Sequence, residues 1–482
     1  MHKIMNMKLF FVLPFVFLIS CSSEPKCDEI FKYLNQNFES GNYKSLFQLA
    51  DSLQKICPDN RKLISESDSL VQIAERIKLD FSLNEEQLKS QLTSRLSSFS
   101  HEEITQWEKK GWLEGKLIDG EKKYFRRTVS NLILLKQFHE QKKEWVQENS
   151  VEPDLVFRLK HTQDVLKNSV NTGDRAIPVN MQITYTISVN PDVVPEGERI
   201  RCWLPWPKEG NLRQKDVHLL GTSSGAYIIA PDTAVHSSIY MEDTAKKGVP
   251  TVFSLTFQYQ SSAQHFNLNE IQAEPYDKNS EIYKKYTSEQ LPQIHFSENI
   301  RHLADSITSD EKDPAKIVKE IYYWFKNNIP WSGALEYSIM PDIPEYVCLN
   351  KRGDCGMQTF TFISMLRYKG IPVRWQSGWM VPPVGKNLHD WCEVYYEGTG
   401  WVPTDISYNL QLSDNEELKE YFMSGIDSYR LIINEGVSGR LHPEKHHLRS
   451  EPYDFQRGEV EWKGGNLYFD NWDYNMEIEY LK

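Results

Sequence analysis

The hydrophobic period changes along this chain, and the change limits the folds open to it. Val179, Met181, Ile183, Tyr185, Ile187 and Val189 alternate with Asn180, Gln182, Thr184, Thr186 and Ser188. Successive side chains of a strand point to opposite faces, so this run reads as a half-buried strand. The alternation returns at Phe253, Leu255, Phe257 and Tyr259, and Gly, Pro, Asn and Asp clusters separate shorter runs between. Residues 152–268 are therefore expected to form an antiparallel β-sandwich. Upstream, over 27–151, the pattern is helical: Ile30, Phe31, Leu34 and Phe38 lie on one stripe, and Leu46, Leu49, Ala50, Leu53 and Ile56 on the next. Cys27 and Cys57 flank this helical hairpin and are expected to pair. The polar stretch 269–292 reads as a linker. Helical pattern resumes at Asp313-Pro314, a cap followed by a proline at the first helical position, and strands follow from Val373. The chain is thus read as multidomain α+β, with an N-terminal helical region, a β-sandwich and an α+β domain over 293–482.

The first residues read as an export address. Lys3 and Lys8 precede the apolar run Leu9–Ile19, which is shorter than the roughly 20 residues needed to span a bilayer. The stretch FLISCSS resembles a bacterial lipobox, which makes 1–21 a signal peptide and Cys21 the lipidated residue. A simple secretory signal with a chance cysteine is the alternative. Lipid anchoring at Cys21 implies a bacterial cell-envelope location and a membrane partner without a spanning helix. Formal charge is -12, from 55 basic and 67 acidic residues, with no Lys/Arg block, so nucleic acid is not an expected partner.

The segment RGDCGMQTFTFISMLRYKGIP carries the chemistry. Gly370 can take the left-handed position, Ile371 can make the accompanying apolar contact, and Pro372 forbids continuation, so the helix ends there and begins near Cys355. A thiol in a first helical turn feels the positive end of the dipole, which favours thiolate. A nucleophilic thiol also needs a base, and that base an orienting acceptor. The hairpin HDWCEVYYEGTGWVPTD supplies His389 and Asp405. If its loop is Glu397-Gly398-Thr399, Tyr396 faces Gly400 and Asp405 faces Trp391, which shares a strand face with His389. A four-residue loop without a bulge would reverse that parity.

These motifs resemble the transglutaminase-like superfamily, with its Cys at a helix start, Gly-Ile-Pro exit, His-x-Trp strand and Gly-Trp-x-x-x-Asp strand. The resemblance covers about Phe296 to Leu410. It implies a papain-like core with Cys355 as nucleophile, His389 as base and then acid, and Asp405 orienting the imidazole. Asp390 departs from the small residue often found after the histidine, and Cys392 is unusual within that strand. Trp331, whose loop leads into the Cys355 segment, is the expected substrate or transition-state support; Trp375 and Trp379 are weighed against it. A zinc reading of Cys348, Cys355, His389 and Cys392 is disfavoured by the first spacing. No metal and no cofactor are expected. The expected activity is acyl transfer on peptide or protein amide bonds through a thioester, with hydrolysis ahead of transamidation. The other reading is an inactive envelope scaffold or binding lipoprotein.

Overall fold

A computed structural model describes residues 27–140, 153–169, 171–271, 274–408, 410–411 and 413–481. The signal segment with Cys21, and residues 141–151 of the expected helical region, lie outside the described residues. Contacts divide the chain into two units: Met1–Ala74 with Leu117–Gly120, and Glu75–Lys116 with Glu121–Lys482. Among the described residues no helix is long and apolar enough to cross a membrane.

In the first unit, helices α1 (Cys27–Glu39) and α2 (Tyr43–Ile56) form an antiparallel-type hairpin around Gly41, whose φ is +73°. Leu34, Tyr43, Leu46 and Leu53 are fully buried. A Cys27–Cys57 disulfide, with Cα atoms 6.1 Å apart, ties the hairpin ends together.

The second unit holds helices α3 (Glu85–Arg95), α4 (His101–Lys109), α5 (Thr128–Glu140) and α6 (Pro153–Asn168), followed by strands β1 (Arg175–Val189), β2 (Arg199–Pro205), β3 (Gln214–Thr222), β4 (Tyr227–Ile229), β5 (Ser238–Thr244) and β6 (Thr251–His265). The two alternating runs pair with each other, Ile183 opposite Phe257 and Tyr185 opposite Leu255. Next come α7 (Glu298–Thr308), α8 (Pro314–Asn328), α9 (Ile343–Asn350) and α10 (Cys355–Tyr368). Strands β7 (Val373–Met380), β8 (Asn387–Tyr396), β9 (Gly400–Thr404), β10 (Gly425–Ile426), β11 (Arg430–Glu435), β12 (Glu459–Trp462), β13 (Gly465–Leu467) and β14 (Trp472–Leu481) complete the unit.

The strands named form three sheets, β9-β8-β7-β11, β10-β6-β1-β14 with β3 also on β6, and β13-β12-β2-β5-β4. Residues from the latter two, including Met181, Tyr185, Trp203 and Phe257, share one core. On the first sheet α10 packs Phe360 against Trp375, ring centroids 4.1 Å apart, and buries Ile363 and Leu366 near Cys392 and Val394.

Segment boundaries differ from the sequence reading at three places. Residues 153–168 are helix α6 rather than sandwich, started by Pro153 and buried through His161, Thr162 and Val165. The linker contains a helical turn, Glu281–Tyr286, capped by the Ser280 side chain. Strands β10 and β12 to β14 leave the α+β domain and join the sandwich sheets, β10 pairing with β6 and β14 with β1 from Trp472–Val189 to Leu481–Asn180. An unpaired β1 edge would expose a long row of N–H and C=O groups, and β14 covers it.

Candidate active site

Helix α10 starts at Cys355 because Asp354 caps it: Asp354 Oδ1 accepts from Met357 N at 3.0 Å and from the Tyr337 hydroxyl at 2.6 Å. It stops where expected, with Gly370 at φ +78° and Ile371 N donating to Leu366 O at 3.0 Å. Gly356 is required by close approach rather than by a turn. A Cβ there would collide with the Tyr337 hydroxyl and stand 2.7 Å from Asp390 Oδ2.

The hairpin has the register that the three-residue loop requires, Tyr396 opposite Gly400 and Cys392 opposite Thr404. His389 and Asp405 consequently meet, Nε2 to Oδ2 at 2.7 Å, both buried. Arg430 on β11 reaches Asp405 Oδ2 at 2.8 Å and Asp427 Oδ2 at 2.8 Å. Ser407 donates to Asp405 Oδ1 from its backbone N–H at 3.2 Å and its hydroxyl at 3.0 Å. Burial alone would raise the Asp405 pKa, but His389 and Arg430 outweigh it and hold the carboxyl below the usual range. Burial lowers the His389 pKa against the pull of Asp405, so the imidazole rests neutral.

The thiol has a different partner. Half-buried Cys355 donates from Sγ to Asp390 Oδ2 at 3.2 Å. Asp390 and His389 are neighbours on β8 and point to opposite faces, so the carboxyl, not the imidazole, is bonded to sulfur in this structure. The expected lowering of the thiol pKa by the helix start is also overturned. Burial raises it well above its ordinary value, and Asp390 and Asp354 add to that, because both carboxyls disfavour a second negative charge.

Trp331 is 42% exposed, whereas Trp375 and Trp379 are core. Its loop pairs with the cap segment of α10: Trp331 bridges to Gly353, and Ser332 N donates to Gly353 O at 3.1 Å. Asn131 on α5 clamps the same loop, donating to Gly333 O at 2.9 Å and accepting from Gly333 N at 2.8 Å. Arg127 sits 5.9 Å above the Trp331 ring. Asn131, Arg127, Arg430 and Tyr337 are absent from the motif reading, because each arrives from a segment without a local motif.

A thiol at a helix start, set beside a hairpin that joins histidine to aspartate, defines a transglutaminase-like core. Residues 301–406 match the model of the transglutaminase-like superfamily, so this segment carries a transglutaminase-like domain. The uncharacterised Bacillus subtilis protein YebA is 26% identical over 159 residues, covering 28% of this chain and 21% of that protein. A Cytophaga hutchinsonii crystal structure, described as that of a candidate cysteine protease, aligns at 13% identity and TM-score 0.42, covering 64% of this chain and 93% of the other. The periplasmic domain of TgpA from Pseudomonas aeruginosa aligns at 16% identity and TM-score 0.26, covering 55% and 94%.

Proposed function

We propose that this chain is a cysteine-dependent acyl-transfer enzyme acting on amide bonds of a peptide or protein. The carrying observation is the His389–Asp405 pair at 2.7 Å, on the strand whose next residue touches the helix-start thiol. Cys355 Sγ attacks the amide carbonyl carbon. As the C–S bond forms, the Sγ proton passes to His389, and the carbonyl π pair moves onto oxygen, facing N–H groups of the first turn of α10. Asp405 holds Nε2, which leaves Nδ1 for that proton. Collapse breaks the C–N bond, His389 protonates the leaving amine, and water resolves the thioester. With an amine instead of water the same intermediate gives transamidation; water is always available, so hydrolysis is the preferred branch. At rest Asp390 holds the sulfur, so the proton transfer to His389 needs Sγ to be released from Asp390 first. Trp331, exposed beside the cap segment, supports the substrate.

The signal reading of residues 1–21, with Cys21 as lipid anchor, supports an envelope location. The Cys27–Cys57 disulfide suits an oxidising compartment. Labelling with a palmitate analogue, present in the wild type and lost in Cys21→Ala, tests the anchor.

With p-nitrophenyl acetate as acyl donor, the wild type should release a stoichiometric burst of p-nitrophenolate. Cys355→Ala should release none, and His389→Ala should be slower by about 10² or more. An equal burst from Cys355→Ala overturns the reading. The raised thiol pKa favours a second reading, an inactive scaffold, which the absence of any burst in the wild type would select. Mass spectrometry of envelope peptides incubated with the wild type and Cys355→Ala then separates the two branches, cleaved ends marking hydrolysis and new isopeptide links marking transamidation.

A further inference from the structure

The mechanism leaves one buried acidic group at the sulfur unused. Asp390 Oδ2 accepts from Cys355 Sγ at 3.2 Å, and Asp390 Oδ1 accepts from Gln456 Nε2 at 2.6 Å. The same Gln456 amide donates to His389 O at 2.9 Å, which pins this part of β8. Asp390 lies opposite Ser377 in the β7–β8 register, and Ser377 Oγ donates to Asp454 Oδ1, which sets the Asp390 and Asp454 carboxyls side by side, close enough to influence each other's protonation. Neither carboxylate can donate when ionised, so two carboxyls in mutual contact hold one proton between them. Asp454 is itself fixed: its Oδ1 accepts from Ser377 Oγ and from Asn434 Nδ2. Both aspartates are buried.

We propose that Asp390 and Asp454 form a one-proton carboxyl pair that governs the protonation of Cys355, holding Sγ–H in the resting state. The inference deepens the acyl-transfer reading by assigning the resting state of the same sulfur. Groups facing the pair agree with it. On the α10 side stand Cys355 and Asp354, with the Tyr337 hydroxyl bonded to Asp354. On the C-terminal side stand Glu451, which raises Asp454, and Arg449, whose guanidinium is bound to the Asp454 carbonyl rather than its carboxyl. Burial and this acidic company push Asp454 up to about 6 and Asp390 well above its ordinary value. Gly356 leaves the space in which Tyr337 and Asp390 converge.

The pair makes a prediction of opposite sign for two isosteric changes. Asp390→Asn removes the carboxyl nearest the sulfur and offers an amide donor to a thiolate, so the thiol should titrate lower. Asp454→Asn deprives Asp390 of its shared proton, leaves it ionised against the sulfur, and should move the thiol higher. The full chain is alkylated with iodoacetamide across a pH series, and the Cys355 peptide is quantified by mass spectrometry. Near neutral pH Asp390→Asn should react about tenfold faster than wild type and Asp454→Asn about tenfold slower, the size expected of one neighbouring charge. Shifts in the same direction, as general loosening would give, or profiles that superimpose on wild type overturn the proposal. Alkylation needs no turnover, so the acyl-transfer reading fails separately: opposite shifts without an acyl burst keep the pair and remove the enzyme.

Discussion

Replacing Asp405 probes chemistry and packing at one position. Its carboxylate is fully buried and receives four contacts: His389 at 2.7 Å, Arg430 at 2.8 Å, and the Ser407 N–H and hydroxyl at 3.2 and 3.0 Å. In Asp405→Ala all four are lost and the buried Arg430 keeps only Asp427 as ionic partner. Breaking a buried pair from one side costs about 3 to 5 kcal/mol. At about 2 °C per kcal/mol that is a Tm fall of about 6 to 10 °C. Asp405→Asn keeps the shape and an acceptor for Ser407 but loses the charge, and its cost should be smaller, about 2 kcal/mol. Its kinetic cost should be larger than its structural one. The amide no longer selects the ring tautomer that leaves Nδ1 free, so the burst rate with p-nitrophenyl acetate should fall by about 10² to 10⁴. The sign with pH follows from the lowered carboxyl pKa. A depressed carboxyl adds stability that is fully present above its unfolded value, about 3.9, and is lost as pH falls through the folded value. The Tm gap between wild type and Asp405→Asn should therefore hold from pH 7 to 5 and narrow below pH 4. A wild-type burst rate in Asp405→Asn refutes the orienting role, and an unchanged Tm in Asp405→Ala refutes the ionic brace.

Three further outcomes are expected. Trp331→Ala should raise KM in a peptide-amide assay while leaving Tm unchanged, because the ring is 42% exposed; a Tm loss comparable to a core substitution would contradict this. Asn131→Ala removes both bonds to the Gly333 backbone, leaves two buried backbone groups unpaired, and should cost about 2 kcal/mol by denaturant titration together with a slower burst. Acidification should destabilise the second unit between about pH 6.5 and 4, since burial lowers His161, His236 and His389 and brings His265 to about 4. Each stays neutral when folded and gains a proton on unfolding, so its contribution is present above the unfolded value and lost as pH falls; a flat Tm over that window would contradict the buried, neutral assignment.

Legibility divides by the range of the interaction. The ends of α10 are readable because an Asp cap and a Gly-Ile-Pro exit are local chemistry, and both stand where their residues demand. The β1–β6 pairing is readable because matching apolar alternation leaves one face to bury. The β14 strand is not readable as sandwich, since it lies far from β1 in sequence and only the edge of β1 calls for it. Arg430 is likewise silent in sequence, an isolated arginine that acquires meaning once β11 pairs with β7 and points it at Asp405.

The hairpin parity that unites His389 with Asp405 has a second consequence. A strand that turns His389 to one face must turn Asp390 to the other, and α10 is packed on that other face through Trp375 and Cys392. Register thus assigns two acid–base groups at once: an imidazole held ready by Asp405 and Arg430, and a carboxyl laid directly on the thiol. The helix dipole argument for a low thiol pKa treats the first turn of α10 as if it faced water. It is buried instead, and burial, with Asp390 on the sulfur and Asp354 adding to it, outweighs the half-charge of a helix end. The acidity of Cys355 is therefore not set by its helix position; its burial and its contact with Asp390 set it.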